Sequence, residues 1–259
     1  MNALLSDPAE LLDIDEPPPY GVINPDGTSP VLLLCEHALP RIPRSLSHLG
    51  LSRTERLRHI GWDIGALALA QHLSDRLDAP LFHTGYSRLV VDCNRPLDNP
   101  SLMPETAETT PVPGNIGLDV ADRAARIDTL FRPFHAAVTR RLDLRAAQGK
   151  LTFVIGVHSY TPVFKGEARP WHAGILYAGA TGFARRLLGA MAEPGLTLGD
   201  NQPYRIDADD YTVPVHGDAR GLPSVLIEVR HDLIATRAGV RDWGDRLARC
   251  LTQAMAGVA

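Results

Sequence analysis

The stretch VLLLCEHALPRIP, residues 31–43, begins as an uninterrupted apolar run and then turns polar. Such a run from Val31 to Cys35 is typical of a strand that is covered on both faces, as in a parallel sheet. Glu36 and His37 follow it directly. In open sheets, ligands bind outside the carboxyl ends of parallel strands. The stretch therefore predicts a buried strand that delivers two titratable side chains to a binding site.

Strand-like and helix-like segments alternate along the rest of the chain. Further strands are predicted at residues 89–93, 152–157, 174–177 and 224–229. Helical periodicity covers residues 54–77, 119–147, 182–192 and 240–256. Pro133 predicts a kink or a division into two helices. Residues 96–117 are rich in proline and lack periodicity, which predicts a long loop.

This alternation predicts one α/β domain at residues 30–259, with helices flanking a mixed, mostly parallel sheet. An acidic, proline-rich lead-in at residues 1–29 precedes it. The N-terminus lacks the basic and then apolar order of a secretory signal, and no apolar run is long enough to cross a bilayer.

The composition is that of an ordinary globular enzyme. The chain has 259 residues, 44% of them hydrophobic and 22% charged, and a formal net charge of −4. This balance argues against nucleic acid or a membrane as partner and leaves a small-molecule substrate as the expected one. The chain has three cysteines and no CxxC spacing, which favours reduced thiols and a cytoplasmic location.

Two of the ten histidines, His37 and His158, directly follow predicted strands. Both imidazoles would then project from the same sheet edge. Two histidines placed in this way could bind a zinc ion, which typically has three protein ligands at a catalytic site. The alternative is that the two histidines only cap their strands. Asp63, in HIGWDIGA, is the first candidate for the third ligand, with a helix N-cap as its alternative role. Glu36 is the second candidate, although adjacent residues of an extended segment point to opposite faces.

Glu228 is the predicted general base. It lies in the apolar strand 224–229, where a carboxylate loses hydration and needs a cation or a raised pKa. It could accept a proton from a water at the metal and return it to the leaving nitrogen. The alternative is a buried salt bridge with Arg230 or Arg88. His216, in a proline- and glycine-bounded loop, is a second catalytic candidate that could polarise the substrate carbonyl or hold its tail.

The sequence DCNR, residues 92–95, suits an anionic substrate. Arg95 offers a planar fork to a carboxylate, and the amide of Asn94 adds a donor and an acceptor. Arg88 and Arg230 are further candidates for this clamp. The alternative for Arg88 is a pair with a nearby aspartate.

Together these segments resemble the N-formylglutamate amidohydrolase family. The matching motifs run in order from about residue 31 to the end of the chain: CEHALPRIP, HIGWDIGALALA, YSRLVVDCNRP, VIGVHSYTP and YTVPVHGDARGLPSVLIEVRHDLI. The resemblance implies hydrolysis of N-formyl-L-glutamate to formate and L-glutamate, a reaction of amino-acid degradation, that of histidine in particular. It also implies an α/β fold similar to the zinc carboxypeptidases and the aspartoacylase group.

That wider group holds zinc with an HxxE pair and a distant histidine, binds the substrate carboxylate with DxNR, and uses a glutamate as general base. DCNR matches the second feature and Glu228 the third. The residues after His37 are ALP, so the glutamate of HxxE is absent and the second ligand passes to Asp63 or Glu36. The resulting prediction is an amidohydrolase in which His37, Asp63 and His158 bind Zn²⁺.

Two other functions stay open at this point. Cys35 could attack the substrate without a metal, with His37 or His158 as base. Against this, a free cysteine after an apolar run is usually an inert core residue, and the chain has no GxSxG sequence for a serine version. The other possibility is a binding module that keeps the anion clamp and binds acidic amino-acid derivatives without turnover.

Overall fold

A seven-stranded sheet forms the centre of the computed structural model, which describes residues 11–257. The strands of the chain are β1 (Tyr20–Ile23), β2 (Val31–Cys35), β3 (Leu81–Thr84), β4 (Thr106–Ala107), β5 (Thr110–Pro111), β6 (Phe153–Tyr160), β7 (Val163–Phe164), β8 (Glu167–Ala168), β9 (Ala173–Leu176), β10 (Leu198–Asp200) and β11 (Ser224–Arg230). The order across the sheet is β1-β3-β2-β6-β11-β9-β10, while β4–β5 and β7–β8 form separate hairpins. The β1–β3 and β9–β11 pairs are antiparallel and the other pairs of the sheet are parallel. The predicted mixed, mostly parallel sheet is confirmed.

Helices cover both faces of this sheet. They are α1 (Arg53–Arg56), α2 (Ala66–Leu77), α3 (Val120–Arg126), α4 (Arg132–Ala147), α5 (Thr181–Met191), α6 (Thr212–His216) and α7 (Arg237–Met255). The apolar residues of α2, α5 and α7 pack on one face, and those of α4 on the other. Within residues 11–257, no helix is both long and apolar enough to cross a membrane.

Strand β2 is buried along its whole length, as its sequence predicts. Successive side chains of a strand point to opposite faces of the sheet. Leu33 and Cys35 accordingly belong to the core layer with α2, α5 and α7, whereas Leu32 and Leu34 belong to the layer with α4. Because both faces are covered, every position can be apolar, and the change to polar residues after Cys35 marks the edge of the core.

The predicted strand at residues 89–93 is wrong. These residues form turns and irregular backbone, and β2 pairs in parallel with β6 and with β3, a strand that the sequence pattern does not predict. Leu89, Val90 and Val91 are buried in the core layer beside α4. Their apolar character therefore comes from packing beneath the sheet and not from pairing within it. The other predicted strands are confirmed as β6, β9 and β11, with ends shifted by at most three residues.

The predicted helices differ from the structure mainly where they are interrupted. Residues 54–77 form α1 and α2 with a turn-rich segment between them, and α2 begins after Gly65, whose φ of 82° is readily adopted by glycine. Residues 119–147 divide into α3 and α4 around a π-helical turn, Ile127–Phe131. The break predicted near Pro133 is confirmed and lies just before that proline.

The predicted N-terminal lead-in contributes to the sheet, since its residues 20–23 form edge strand β1. Residues 1–10 of the lead-in lie outside the described residues. The boundary between lead-in and domain stays a prediction.

A close backbone contact holds the segment after β10 against β9. At Gly174 a Cβ would overlap the carbonyl oxygen of Gln202. We therefore expect Gly174→Ala to lower the free energy of unfolding by about 1–3 kcal/mol, because the methyl group must displace backbone. Gly189 in α5 is the matched control: its Cβ would meet no atom within 4 Å. Gly189→Ala should instead raise stability by about 0.5–1 kcal/mol. Urea denaturation of both variants measures these changes, and a Gly174→Ala protein as stable as the parent would contradict the first.

Candidate active site

A cavity of about 520 Å³ opens where strands β2, β6 and β11 carry their polar residues. His37 lies just beyond β2, while His158 lies inside β6, which continues to Tyr160; the prediction that His158 follows the strand is wrong. Glu228 of β11 is paired in register with His158 of the neighbouring parallel strand. His37, Asp63, His158 and Glu228 all line the cavity. The sheet therefore brings the predicted metal ligands and the predicted base to one place.

His37, Asp63 and His158 form a compact, buried group. Their potential ligand atoms all lie within 4.8 Å of one another. Oδ2 of Asp63 lies 2.8 Å from Nδ1 of His158 and 3.4 Å from Nδ1 of His37. The backbone N–H of Asp63 donates to the carbonyl of His37, which holds the turn before α2 against the end of β2. Asp63 is thus not the cap of α2, a position that Gly65 occupies.

A second carboxylate lies behind each imidazole. Nε2 of His37 is hydrogen-bonded to Oδ1 of Asp92 at 2.7 Å. Nε2 of His158 lies 2.8 Å from Oε2 of Glu36, at an angle outside the range of a hydrogen bond. Glu36 therefore contacts the far side of the ring, and Asp63 is the carboxylate on the Nδ1 side of both histidines. A carboxylate on the second ring nitrogen is the usual support of a histidine that binds a metal.

These residues fit a divalent metal ion. The donor set is two imidazole nitrogens and one carboxylate oxygen, which suits zinc. Nδ1 of His37 is buried and has no hydrogen-bond partner among residues 11–257. Burial alone would lower the pKa of His158, but Glu36 and Asp63 outweigh it and raise that pKa well above the usual range. A metal ion bound here would replace the proton that these carboxylates otherwise hold on the ring.

The negative groups of the cluster are stabilised in their ionised form. Burial raises the pKa of Asp92, but Arg88 and His37 outweigh burial and hold it well below the usual range. The pKa of Asp63 is lowered in the same way by His37 and His158. Nη2 of Arg88 lies 2.6 Å from Oδ2 of Asp92, so Arg88 forms the predicted alternative, a pair with a nearby aspartate.

Glu228 is a carboxylate of the cavity whose ionised form is poorly stabilised by its neighbours. Its side chain is 6% exposed, and its Oε2 has no hydrogen-bond partner among the described residues. Arg88 pairs with Asp92, and Arg230 pairs with Asp232 at 2.8 Å, so neither forms the salt bridge considered for Glu228. Burial raises the pKa of Glu228 to about 8. A carboxyl group of this kind can both give and take a proton near neutral pH.

The predicted clamp is brought to the cavity in part. Arg88, Asn94 and Arg95 line it, whereas Arg230 does not. Nη1 of Arg95 donates to the carbonyl of Asp209 at 2.9 Å and lies 3.3 Å from Oδ1 of Asp210.

The amide of Asn94 ties two walls of the cavity together. Its Nδ2 donates to Oδ1 of Asp210 at 3.0 Å, and its Oδ1 accepts the N–H of Thr212 at 3.0 Å. Asn94 and Arg95 therefore hold residues 92–95 and 209–212 against each other as well as facing the cavity.

His216 does not line the cavity, in contrast to its predicted place in a loop that reaches the substrate. It ends the short helix α6 and is buried, with Nε2 at 2.9 Å from Nδ1 of His135. Nε2 of His135 in turn donates to the carbonyl of Cys93 at 2.9 Å. This histidine pair thus lies behind the wall that carries Asn94 and Arg95.

Cys35 is fully buried and does not line the cavity. Burial raises the pKa of its thiol well above the usual range, with Glu36 and Asp63 adding to the shift. Since the thiolate is the nucleophile, these surroundings oppose the cysteine mechanism considered from the sequence.

Sequence reasoning missed the outer wall of the cavity. Glu108, in the turn of the β4–β5 hairpin, lines it, as do residues on the segment between β10 and α6, among them Tyr204, Arg205 and Asp210. Neither segment has helical or strand periodicity, so no pattern connected it with the site. The acidic run DADD at residues 207–210 was the available signal.

Comparisons with known proteins identify the family and the fold of the chain. The family model of N-formylglutamate amidohydrolase matches residues 29–235. A solved gene product of Agrobacterium tumefaciens is 37% identical; the match covers 96% of this chain and 99% of that chain, with a TM-score of 0.93. The N-formylglutamate amidohydrolase from Ralstonia eutropha JMP134 is 20% identical, with 92% and 97% covered and a TM-score of 0.68, and it has the same fold. No curated protein matches the chain.

Proposed function

The chain belongs to the N-formylglutamate amidohydrolase family and hence hydrolyses the amide of a small molecule, and we propose that it uses zinc to release formate from N-formyl-L-glutamate. The family supports the formyl amide and the glutamate. The buried group formed by His37, Asp63 and His158 supports the metal.

The observation that carries the metal proposal is the direction of the two imidazoles. Both Nδ1 atoms face Oδ2 of Asp63, and both Nε2 atoms face a further carboxylate. We assign His37, Asp63 and His158 as the ligands and place Glu36 and Asp92 behind them. When bound, a zinc ion would supply a Lewis acid for the amide carbonyl and would lower the pKa of a water molecule.

Glu228 is the proposed general base and acid. It would accept a proton from the attacking water at Oε2, the atom that has no partner among the described residues, and later donate it to the leaving nitrogen. A pKa of about 8 lies close to neutral pH, so Glu228 can hold the proton between the two steps.

Asn94 and Arg95 are the proposed anchors of a substrate carboxylate, with Arg88 beside them at the cavity wall. Their bonds to residues 209–212 keep them in place, and such fixed donors orient a substrate as well as binding it. Cys35, Cys93 and Cys250 are free and buried, which supports the proposed cytoplasmic location.

Metal analysis combined with formate release tests the proposal. We expect the purified protein to hold about one zinc ion per chain and to release formate from N-formyl-L-glutamate. Chelation should abolish the release, and added zinc should restore it. Undiminished turnover after complete removal of metal would refute the metal dependence, and turnover of other N-acyl amino acids alone would refute the substrate.

A further inference from the structure

Three guanidinium groups line the cavity, and they differ in what they contact. Arg88 pairs with Asp92, and Arg95 contacts Asp210. Arg205 is exposed, and within residues 11–257 its side chain has neither a hydrogen bond nor a salt bridge. Arg205 is therefore the one lining arginine of the described chain that forms no ion pair.

The segment that carries Arg205 is fixed on one side by β9. Gln202 lies against Gly174, with no space for a side chain there, and the N–H of Asn201 donates to the carbonyl of Ile175 at 3.1 Å. The adjacent Tyr204 accepts a hydrogen bond from Arg169 at 2.7 Å, and its ring lies 4.7 Å from that guanidinium. The backbone before Arg205 is thus held in place.

The same segment is fixed on its other side by Asp210, which accepts hydrogen bonds from Asn94 and Arg95. A backbone anchored at both ends need not be ordered on binding, so the side chain of Arg205 is the part that loses freedom. An arginine without an acidic partner can form two parallel hydrogen bonds with a carboxylate and need not first break a salt bridge.

We propose that Arg205 binds the side-chain carboxylate of the substrate and so selects an acidic amino acid. The inference rests on the proposed function: an N-acyl glutamate carries two carboxylates, and the clamp at Asn94 and Arg95 accounts for one of them. Arg205 is the lining cation that is left for the second. It is a determinant of specificity and takes no part in proton transfer.

Two substrates of nearly equal shape test this role, because N-formyl-L-glutamine differs from N-formyl-L-glutamate in the charge at its end. We expect the parent to prefer the glutamate compound in kcat/KM. Arg205→Gln should reduce that preference at least tenfold, which corresponds to about 1.4 kcal/mol, mainly through KM. Arg205→Lys should retain part of it. Arg241→Gln removes an exposed arginine of α7 and is the matched control, with an unchanged preference.

An unchanged preference in Arg205→Gln would overturn the inference, as would an equal loss on both compounds. A parent that does not distinguish the two compounds would overturn it as well, while leaving formate release intact. If the zinc-loaded parent releases formate from neither compound, the proposed function fails. Calorimetric measurement of binding then tests the role of Arg205 separately. Weaker binding of L-glutamate, but not of L-glutamine, to Arg205→Gln would support the role, and equal binding of L-glutamate to both proteins would exclude it.

Discussion

Replacing Glu228 with glutamine is expected to slow turnover by roughly 10²–10⁴-fold, the usual contribution of acid–base catalysis, while zinc content and substrate binding stay at the level of the parent. Glutamine has the same shape and keeps a hydrogen-bonding group, but it cannot accept the proton. Since Oε2 of Glu228 has no partner among the described residues, the change breaks no salt bridge. The melting temperature should therefore change little, or rise as the buried acid is removed.

The measurement compares zinc content, melting temperature and single-turnover rate in Glu228→Gln and in a control. Glu167→Gln is a suitable control, because Glu167 is exposed in the β7–β8 hairpin. A Glu228→Gln protein that turns over as fast as the parent would refute the general-base role. Loss of zinc from this variant would instead indicate that Glu228 is itself a ligand.

Substitution of either histidine in the metal group is expected to remove both zinc and activity. His37→Ala and His158→Ala each delete one of two imidazole ligands, so turnover should fall to that of the chelated parent. Asp63→Asn should weaken metal binding as well. Asp92→Asn removes the negative charge that contacts Nε2 of His37 and should lower zinc affinity by about 10–100-fold, which is less than removal of a ligand.

His72→Ala provides the comparison for these variants. His72 also faces a carboxylate, at 2.9 Å from Asp245, but it lies outside the cavity. This variant should keep its zinc. Stoichiometric zinc in both His37→Ala and His158→Ala, measured by elemental analysis on folded protein, would show that the metal is held elsewhere.

The parts of the fold that could be predicted are those in which local pattern and packing agree. In β2 the apolar run is long enough to be covered on both faces, so its bounds follow from the residues themselves. At residues 89–93 the same kind of run is buried in turns beneath the sheet. The hydrophobic period and the composition do not distinguish β2 from residues 89–93, because both segments are buried. Only the pairing with strand β3 distinguishes them, and the sequence of β3 is short and of mixed character.

The part of the candidate site that could be predicted is the part where a strand determines the direction of a side chain. His158 and Glu228 are neighbours because β6 and β11 are parallel and in register. The direction of the Asp63 side chain could not be predicted, since an aspartate before a helix is equally typical of a helix cap. Its direction depends on an irregular turn and on the backbone bond to His37. Arg205 belongs to a segment whose position depends on contacts with β9, which no local pattern records.

The buried pair His135 and His216, behind the cavity wall, makes the stability of the folded state depend on pH. A carbonyl oxygen can only accept, so Nε2 of His135 carries a hydrogen; its Nδ1 then accepts from Nε2 of His216, and both rings are neutral. Burial lowers the pKa of His135 to about 3 and that of His216 to about 4, against an ordinary value of 6.5, with Glu36 opposing both shifts.

The unfolded chain takes up these two protons first as the solution is acidified. The stability that the neutral pair contributes is thus complete above pH 6.5 and is lost as the pH falls toward the folded-state values of about 3 and 4. A proton on Nδ1 of His135 would set two N–H groups against each other, and a proton on Nδ1 of His216 would place a charge on a buried atom that has no hydrogen-bond partner among the described residues. Acid would therefore destabilise the cavity wall that carries Asn94 and Arg95. The protonated groups, His135 and His216, are not among the proposed metal ligands.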